Sequence, residues 1–181
     1  MHNIALSYDN LGRYEKALSN YEISFEIKRL GTDEHANIDA TLHNIALVQD
    51  NLGKHDEALV NYLKSLEIKR KIYGSDVHTS IANTLNNIAL VNDSLGGYEE
   101  AFKNYEKSLE IKRKIFGTDE HSDIAGIVMN IGSLFSKLER LDESLVNFEK
   151  SLAINRKIFG SDEHTSIGDI LNNIGNVYSV G

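Results

Sequence analysis

Histidine recurs along the chain at a fixed interval, which raises the question of a metal site. His35, His78, His121 and His164 are each 43 residues apart. Imidazole is a common metal ligand, but the ligands of one ion must converge on it. Equivalent positions in stacked helix pairs lie about 10 Å apart, and no predicted helix holds two His separated by three residues. We therefore predict no metal and no cofactor, and we interpret these His residues as helix-entry residues.

Residue types that carry catalysis are missing from this sequence or are scattered along it. There is no Cys, which excludes disulfides, zinc ribbons and thiol nucleophiles. The sequence also has no nucleophile elbow, no glycine-rich phosphate loop and no convergent pair of carboxylates. We therefore predict that the protein is not an enzyme.

Lys-Arg-Lys triplets at residues 69–71 and 112–114 could form a basic patch. Each triplet is followed within seven residues by Asp or Glu, so local ion pairs and the helix dipole explain the triplets first. The formal net charge is −8 and the pI is about 5.3. This balance argues against nucleic acid and anionic membranes as partners, because both require concentrated positive charge.

The composition is that of a globular chain, with 41% hydrophobic and 25% charged residues. No apolar run approaches the roughly 18 residues of a membrane span, and the first residues do not have the pattern of a signal peptide. The absence of Cys is compatible with a reducing compartment, and we expect a cytoplasmic location.

The chain is an array of repeats. Residues 61–76 and 104–119 are identical at 13 of 16 positions, and Asn44, Asn87, Asn130 and Asn173 are again 43 residues apart. Because such a period indicates stacked supersecondary units, we divide one array, residues 1–181, into repeats of about 1–33, 34–76, 77–119 and 120–162 and a partial repeat at 163–181. A repeat array offers an extended surface more often than a single deep pocket.

Each repeat has the pattern of two amphipathic helices, which we call helix A and helix B. In the third repeat Ile81, Leu85 and Ile88 form one apolar stripe, and Ala101, Tyr105 and Leu109 form another. There is no Pro to break a helix, and Gly117 follows helix B where a left-handed residue is favoured. We predict five A helices, four B helices and no strands. Helix A is capped either by the Ser or Thr that follows this Gly or by the later His-Ser/Thr step.

The motifs of these helices resemble the tetratricopeptide repeat. In order, Asn86-Asn87-Ile88-Ala89, Leu95-Gly96, Tyr98, Ala101, Tyr105 and Ser108-Leu109 fit the family pattern. The longer helices are most similar to the repeats of kinesin light chains. The resemblance implies an all-α, right-handed superhelical solenoid of antiparallel helix pairs. Two departures are Thr, Ser or Ala in place of Pro after the His, and a degenerate fourth repeat with Glu139 at the turn Gly.

The resemblance also implies a function, namely a non-catalytic interaction scaffold that binds a peptide or helix of a partner protein. In the family, helix A lines a concave groove and its recurring Asn hydrogen-bonds the peptide backbone, since an amide both donates and accepts. The residues mapped to this groove are Asn3, Asn44, Asn87, Asn130, Asn173, His43, Asn86, Leu47, Leu90, Asp9, Asp50 and Asp93. Alternatively, the Asn residues bond the neighbouring repeat and only support the stack.

The mapped groove carries acidic residues and no basic ones. No Lys or Arg occupies the matching positions, which disfavours the family's clamp for C-terminal carboxylates. We expect a neutral or basic partner segment, because an acidic segment would meet Asp9, Asp50 and Asp93. A solvated face explains these Asp residues equally well.

A structural role is the alternative to peptide binding. The sequence starts within one helix A and stops within another, which suggests a fragment of a longer array whose activity, as a cargo adaptor or in enzyme regulation, lies in other domains. Uncapped ends of a solenoid expose apolar surface, so we also expect possible self-association through the ends.

Overall fold

The computed structural model describes residues 2–30 and 35–180. Within these ranges the chain forms nine helices and no strand, as predicted. The A helices are α1 (His2–Asn10), α3 (His35–Asn51), α5 (Thr79–Ser94), α7 (Ser122–Lys137) and α9 (Thr165–Val180). The B helices are α2 (Tyr14–Leu30), α4 (His55–Tyr73), α6 (Tyr98–Phe116) and α8 (Leu141–Phe159).

The helices stack in chain order, each against the next, into an all-α solenoid of antiparallel pairs. Among the A helices, α5 also contacts α7, and α7 contacts α9. Two side-chain contacts cross directly from α7 to α5, one between Asn130 and Asn86 and one between Lys137 and Asp93. The A helices α5, α7 and α9 therefore approach one another on one side of the array.

The core is built across the junctions between repeats. Each B helix buries one large ring completely or almost completely, from Tyr21, Tyr62, Tyr105 or Phe148. Tyr105 packs in one cluster with Ile124 and Ile131 of the following helix A. Because helices of this length are marginal alone, each repeat depends on its neighbour for stability.

Glycine ends each described B helix that has a defined cap. Gly117 adopts a left-handed conformation with φ +66° and donates its backbone N–H to the Arg113 carbonyl at 2.9 Å. This confirms the prediction made from its position. The turn after each of the first three A helices also has a glycine with positive φ, whereas Glu139 (φ +57°) fills this turn in the fourth repeat.

The N-caps of α5 and α7 are His78 and His121. The Nδ1 atom of each ring accepts the backbone N–H two residues later, at 3.1 Å, and His164 accepts the N–H of Ser166 at 3.2 Å. Each ring also stacks on the last aromatic residue of the preceding helix B, with centroids 3.5–3.6 Å apart. The helix-entry interpretation is thus confirmed for these three His.

Ser75 and Thr118 do not cap the next helix, so that alternative is wrong for them. Their hydroxyls accept the N–H of Val77 and Glu120 within the connecting loop, both at 3.1 Å. The corresponding Thr32 lies outside the described residues.

Candidate functional site

Asn44 and Asn87, two of the recurring Asn residues, bond the neighbouring repeat. Asn44 Nδ2 donates to the Tyr21 hydroxyl at 3.4 Å, and Asn87 Nδ2 donates to the Tyr62 hydroxyl at 3.5 Å. Both Tyr belong to the preceding helix B, so each Asn links two repeats. The amides remain only half-buried, and no hydrogen bond to either amide oxygen is found in the described part of the chain. Asn3, at the start of the series, is exposed.

Tyrosine is the component of this face that the sequence interpretation missed. Burial, followed by the nearby Asp50 carboxylate, raises the pKa of Tyr62. The pKa of Tyr105 is raised in the same way, mainly by burial and secondly by the charge of the Asp93 carboxylate. An Asp of one helix A, a Tyr of the same repeat and an Asn of the next helix A therefore meet at a junction. The sequence contains a signal for these Tyr residues, because Tyr62 and Tyr105 share the 43-residue period of the Asn residues.

The junction between α6 and α7 differs from this arrangement. Asn130 Nδ2 donates to Asn86 Oδ1 at 3.4 Å and makes no bond to Tyr105. The Tyr105 hydroxyl and Asp93 Oδ1 are buried and have no hydrogen-bond partner among the described residues. At the junction between α8 and α9, Phe148 takes the place of the Tyr and has no hydroxyl. Asn173 has no hydrogen bond within the described ranges.

Two of the mapped Asp residues contact side chains that the sequence mapping overlooked. Asp93 Oδ2 lies 2.8 Å from Lys137 Nζ, and Asp50 Oδ1 lies 2.8 Å from His55 Nδ1. The expectation of a groove without a neighbouring Lys or Arg is therefore wrong at Asp93. The reason is geometric, because Lys137 follows the matching position by one residue and reaches back from α7 to α5. Burial raises the pKa of the Asp9 carboxyl.

Apolar side chains lie beside the Asn residues on the same helices. Leu47 is 37% exposed and Leu90 is 38% exposed, each one helical turn after the Asn of its repeat. Their exposure leaves apolar surface next to half-buried amides along α3 and α5.

His43 is the most perturbed side chain in this region. Burial, followed by the charge of Lys69, lowers the pKa of His43 to about 4. The ring packs edge-on against Tyr62, with centroids 5.3 Å apart and planes at 66°. Its Nδ1 atom is buried and has no hydrogen-bond partner in the part of the chain that the structure describes. His43 is therefore neutral at physiological pH and retains unused hydrogen-bonding capacity.

A pocket of about 380 Å³ opens between α5 and α7, with His43 of α3 at one edge. Its polar lining includes Asn86, Asn87 and Asn130, and an ion pair between the buried Lys112 Nζ and the partly exposed Asp123 Oδ2 forms part of its wall. The pocket thus collects uncharged amides around a pair of opposite charges.

Each Lys-Arg-Lys triplet has one buried residue and two residues that form ion pairs on the surface. The second and third residues of the triplets form local ion pairs, Arg70 with Asp76, Lys71 with Glu67, Arg113 with Asp119 and Lys114 with Glu110. This confirms that local pairing accounts for these charges. The first residue of each triplet, Lys69 or Lys112, is buried instead.

Among the described residues, no group of three or more His, Asp or Glu is arranged to hold a metal ion. No helix in the ranges 2–30 and 35–180 combines the length and apolar character needed to cross a membrane.

Comparison with solved structures supports the fold. BtubC (BKLC) from P. vanneervenii superposes with a TM-score of 0.83, at 22% identity over 97% of this chain and 69% of that chain. Two crystal structures of nearly identical TPR-like repeats, from a Podosopora anserina protein of kinesin light chain type, give TM-scores of 0.81 and 0.80. Both are 19% identical and cover 98% of this chain and 83% of theirs. At these identities the likeness concerns the fold alone.

Sequence comparison identifies the family. No curated protein sequence matches the chain. Models described as tetratricopeptide repeat match residues 1–71, 38–114 and 125–166. These matches cover well over half of the sequence, and the chain belongs to the tetratricopeptide repeat family.

Proposed function

We propose that this protein is a non-catalytic scaffold that binds an extended segment of another protein along the concave face of its A helices. Tetratricopeptide repeats generally mediate protein–protein interaction, so the proposal concerns the face that is used and the chemistry of the segment. A cytoplasmic location is part of the proposal, supported by a sequence without Cys.

The observation that carries the proposal is the pairing of a half-buried amide with an exposed leucine on consecutive A helices. Asn44 and Leu47 form this pair on α3, and Asn87 and Leu90 form it on α5. The amide nitrogens are used to link repeats, while the amide oxygens stay available to accept N–H groups of an extended backbone. The leucines supply adjacent apolar contact area.

The charge of the face favours a neutral or basic segment. Asp9, Asp50 and Asp93 lie on the A helices α1, α3 and α5. The chain carries a formal net charge of −8. Because the Lys137 ammonium pairs with the Asp93 carboxylate, the preference should be weaker than three unpaired carboxylates would give. It should also weaken as salt is added.

The experiment is selection of peptides from a random display library on the 181-residue protein, followed by affinity measurement on variants. The concave double variant is Leu47→Ser with Leu90→Ser. The matched control is Val60→Ser with Leu63→Ser on α4, where the side chains are 50% and 49% exposed. We expect at least about a tenfold loss of affinity for the concave variant only, which corresponds to about 1.4 kcal/mol.

Two results would count against the proposal. Loss of binding in the α4 variant with retention in the concave variant would assign binding to the other face. Enrichment of acidic sequences that is unchanged by Asp50→Asn with Asp93→Asn would refute the charge preference.

A further inference from the structure

Both members of the ion pair in the wall of the α5–α7 pocket, Lys112 and Asp123, can form further hydrogen bonds. Lys112 is 1% exposed, and within the described ranges Asp123 is the one acceptor that its ammonium bonds. An ammonium has three N–H donors. Within the described residues the second carboxylate oxygen of Asp123, Oδ1, makes no hydrogen bond and lies 3.8 Å from His121 Nδ1. The Asp123 side chain is 41% exposed. Donors and acceptors thus stand side by side in a pocket wall whose two charges cancel.

Two further polar groups around the pocket are weakly satisfied or not satisfied. The bond from Asn130 Nδ2 to Asn86 Oδ1 is 3.4 Å long, compared with about 2.9 Å for a good N–H···O bond. Across residues 2–30 and 35–180, the buried His43 Nδ1 atom has no hydrogen-bond partner. Since a buried polar group without a partner is costly, these atoms favour an occupant that can hydrogen-bond.

The equivalent positions at the neighbouring junctions do not offer this site. Lys69 is held by Asp39 at 3.1 Å and by Ser65 at 2.8 Å. Asn155 replaces the Lys in the fourth repeat and donates to the carbonyl of Ser151 at 3.0 Å. The α5–α7 pocket also contains Gly126, where an added Cβ would meet no atom within 4 Å. Its counterpart in the preceding repeat is Asn83.

The chemistry of the pocket discriminates among side chains. A carboxylate would face Asp123, and an ammonium would face Lys112. An apolar side chain would leave the polar groups of both residues unpaired and remove their contact with water, which sites of this kind reject strongly. A carboxamide carries two donors and one acceptor group in one plane without charge. It can accept from Lys112 or Asn130 and donate to Asp123 or Asn86.

We infer that the α5–α7 pocket selects a carboxamide side chain, Gln or Asn, in the segment bound along the concave face. This inference rests on the proposed function and names one position of the ligand. The bound segment would place its carboxamide between α5 and α7 and its neighbouring residues over Leu47 and Leu90.

The test uses single amino acids acetylated at the amino group and amidated at the carboxyl group: Gln, Glu, Lys and Leu. All four probes share the same backbone amides, so differences report the side chain. Binding to the 181-residue protein is followed by the NMR signals of the Asn86 and Asn130 side-chain amides. We expect the Gln probe to saturate these shifts at a concentration at least about tenfold lower than the other three probes require.

The blocking variant is Gly126→Leu, which fills the pocket without altering Lys112 or Asp123. It should fold, because Leu favours a helix more than Gly does and the space is open. The control is Gly168→Leu, a helical glycine of α9 that likewise meets no atom within 4 Å. We expect Gly126→Leu to abolish the response to the Gln probe and Gly168→Leu to retain it, with circular dichroism showing that both variants fold.

Two outcomes would overturn the inference. One is equal saturation by the Glu, Lys or Leu probe, and the other is a full response to the Gln probe in folded Gly126→Leu. If library peptides bind the concave face but show no preference for Gln or Asn, the carboxamide inference fails and the proposed function stands. If no peptide binds that face, the proposed function fails, whatever the capped amino acids do.

Discussion

At the scale of single residues, the fourth repeat carries a backbone conformation that its sequence does not favour. The turn residue after helix A has positive φ at Gly12, Gly53 and Gly96, and the same conformation falls on Glu139 at φ +57°. A residue with a Cβ loses about 1 kcal/mol or more in this region relative to Gly. Glu139 forms no ion pair within the described residues that could offset the cost.

Glu139→Gly should therefore stabilise the protein by about 1 kcal/mol. The reciprocal control is Gly96→Glu, which places the same strain in the third repeat and should destabilise by a similar amount. No atom lies within 4 Å of a Cβ built at Gly96, so the effect would come from the backbone and not from a clash. Urea unfolding measures both changes. A destabilised Glu139→Gly would contradict the argument.

His43 makes stability depend on pH. Its folded pKa of about 4 lies below the ordinary value of about 6.5, so the unfolded chain takes up a proton first as pH falls. This contribution to stability is complete above about pH 6.5 and is lost progressively toward pH 4, with an order of magnitude of about 1–3 kcal/mol. His43→Asn, the residue of the next repeat, should remove that part of the acid dependence.

The measurement is urea unfolding of the parent and His43→Asn proteins at several pH values between 4 and 7. All other residues are the same in the two proteins, so the difference between the two curves isolates His43. Parallel curves would show that His43 does not titrate with the lowered pKa.

At the scale of the helices, the His caps connect one repeat to the next. His121 accepts the backbone N–H of Asp123 at 3.1 Å and stacks on Phe116 at the end of the preceding helix B, with centroids 3.5 Å apart. The cap satisfies a free donor at the start of α7, and the stack fixes the angle at which the chain enters that helix. One side chain thus serves two successive helices.

His121→Ala should cost about 1 kcal/mol from loss of the cap, and more if the stack contributes. His121→Asn is the informative comparison, because Asn restores a good N-cap acceptor but cannot stack in the same way. We expect its stability to lie between those of the parent and the Ala variant in thermal or urea unfolding. Equal stability of all three proteins would show that neither contact matters.

The helices and their turns could be predicted from the sequence because the signals are local and repeated. Apolar periodicity located the A and B helices, and Gly117 marked the end of α6. The partners of the buried Lys residues could not be predicted in this way. Lys69 and Lys112 lie in almost identical segments, yet Lys69 pairs with Asp39 and Lys112 with Asp123.

The difference between these two ion pairs arises in the A helices. The counterpart of Asp39 in the third repeat is Ala82, and the counterpart of Asp123 there is Ser80. Each Lys therefore takes whichever carboxylate the neighbouring A helices supply. Asn130 bonds Asn86 and not Tyr105. This difference from Asn44 and Asn87 likewise arises from packing between repeats, which no single repeat encodes.

At the scale of the whole molecule, the terminal helices expose apolar side chains. On α9, Ile170 and Val177 are buried against α8, whereas Leu171 is 43% and Tyr178 is 67% exposed. On α1, Ile4 is 53% exposed, while Tyr8 is partly buried against the core cluster of the first repeats. Apolar patches of this kind are commonly covered by association.

We predict that the 181-residue polypeptide associates through the exposed faces of α1 and α9. The net charge of −8 opposes close approach of two copies, so added salt should strengthen association by screening that repulsion. Light scattering over a concentration series should show a rising mean mass. Leu171→Glu with Tyr178→Glu should return the mass to that of a monomer, whereas Val146→Glu, at a side chain 62% exposed on α8, should not. A mass that stays monomeric at every concentration and salt level would contradict the prediction, because the exposed faces would then be stable in water on their own.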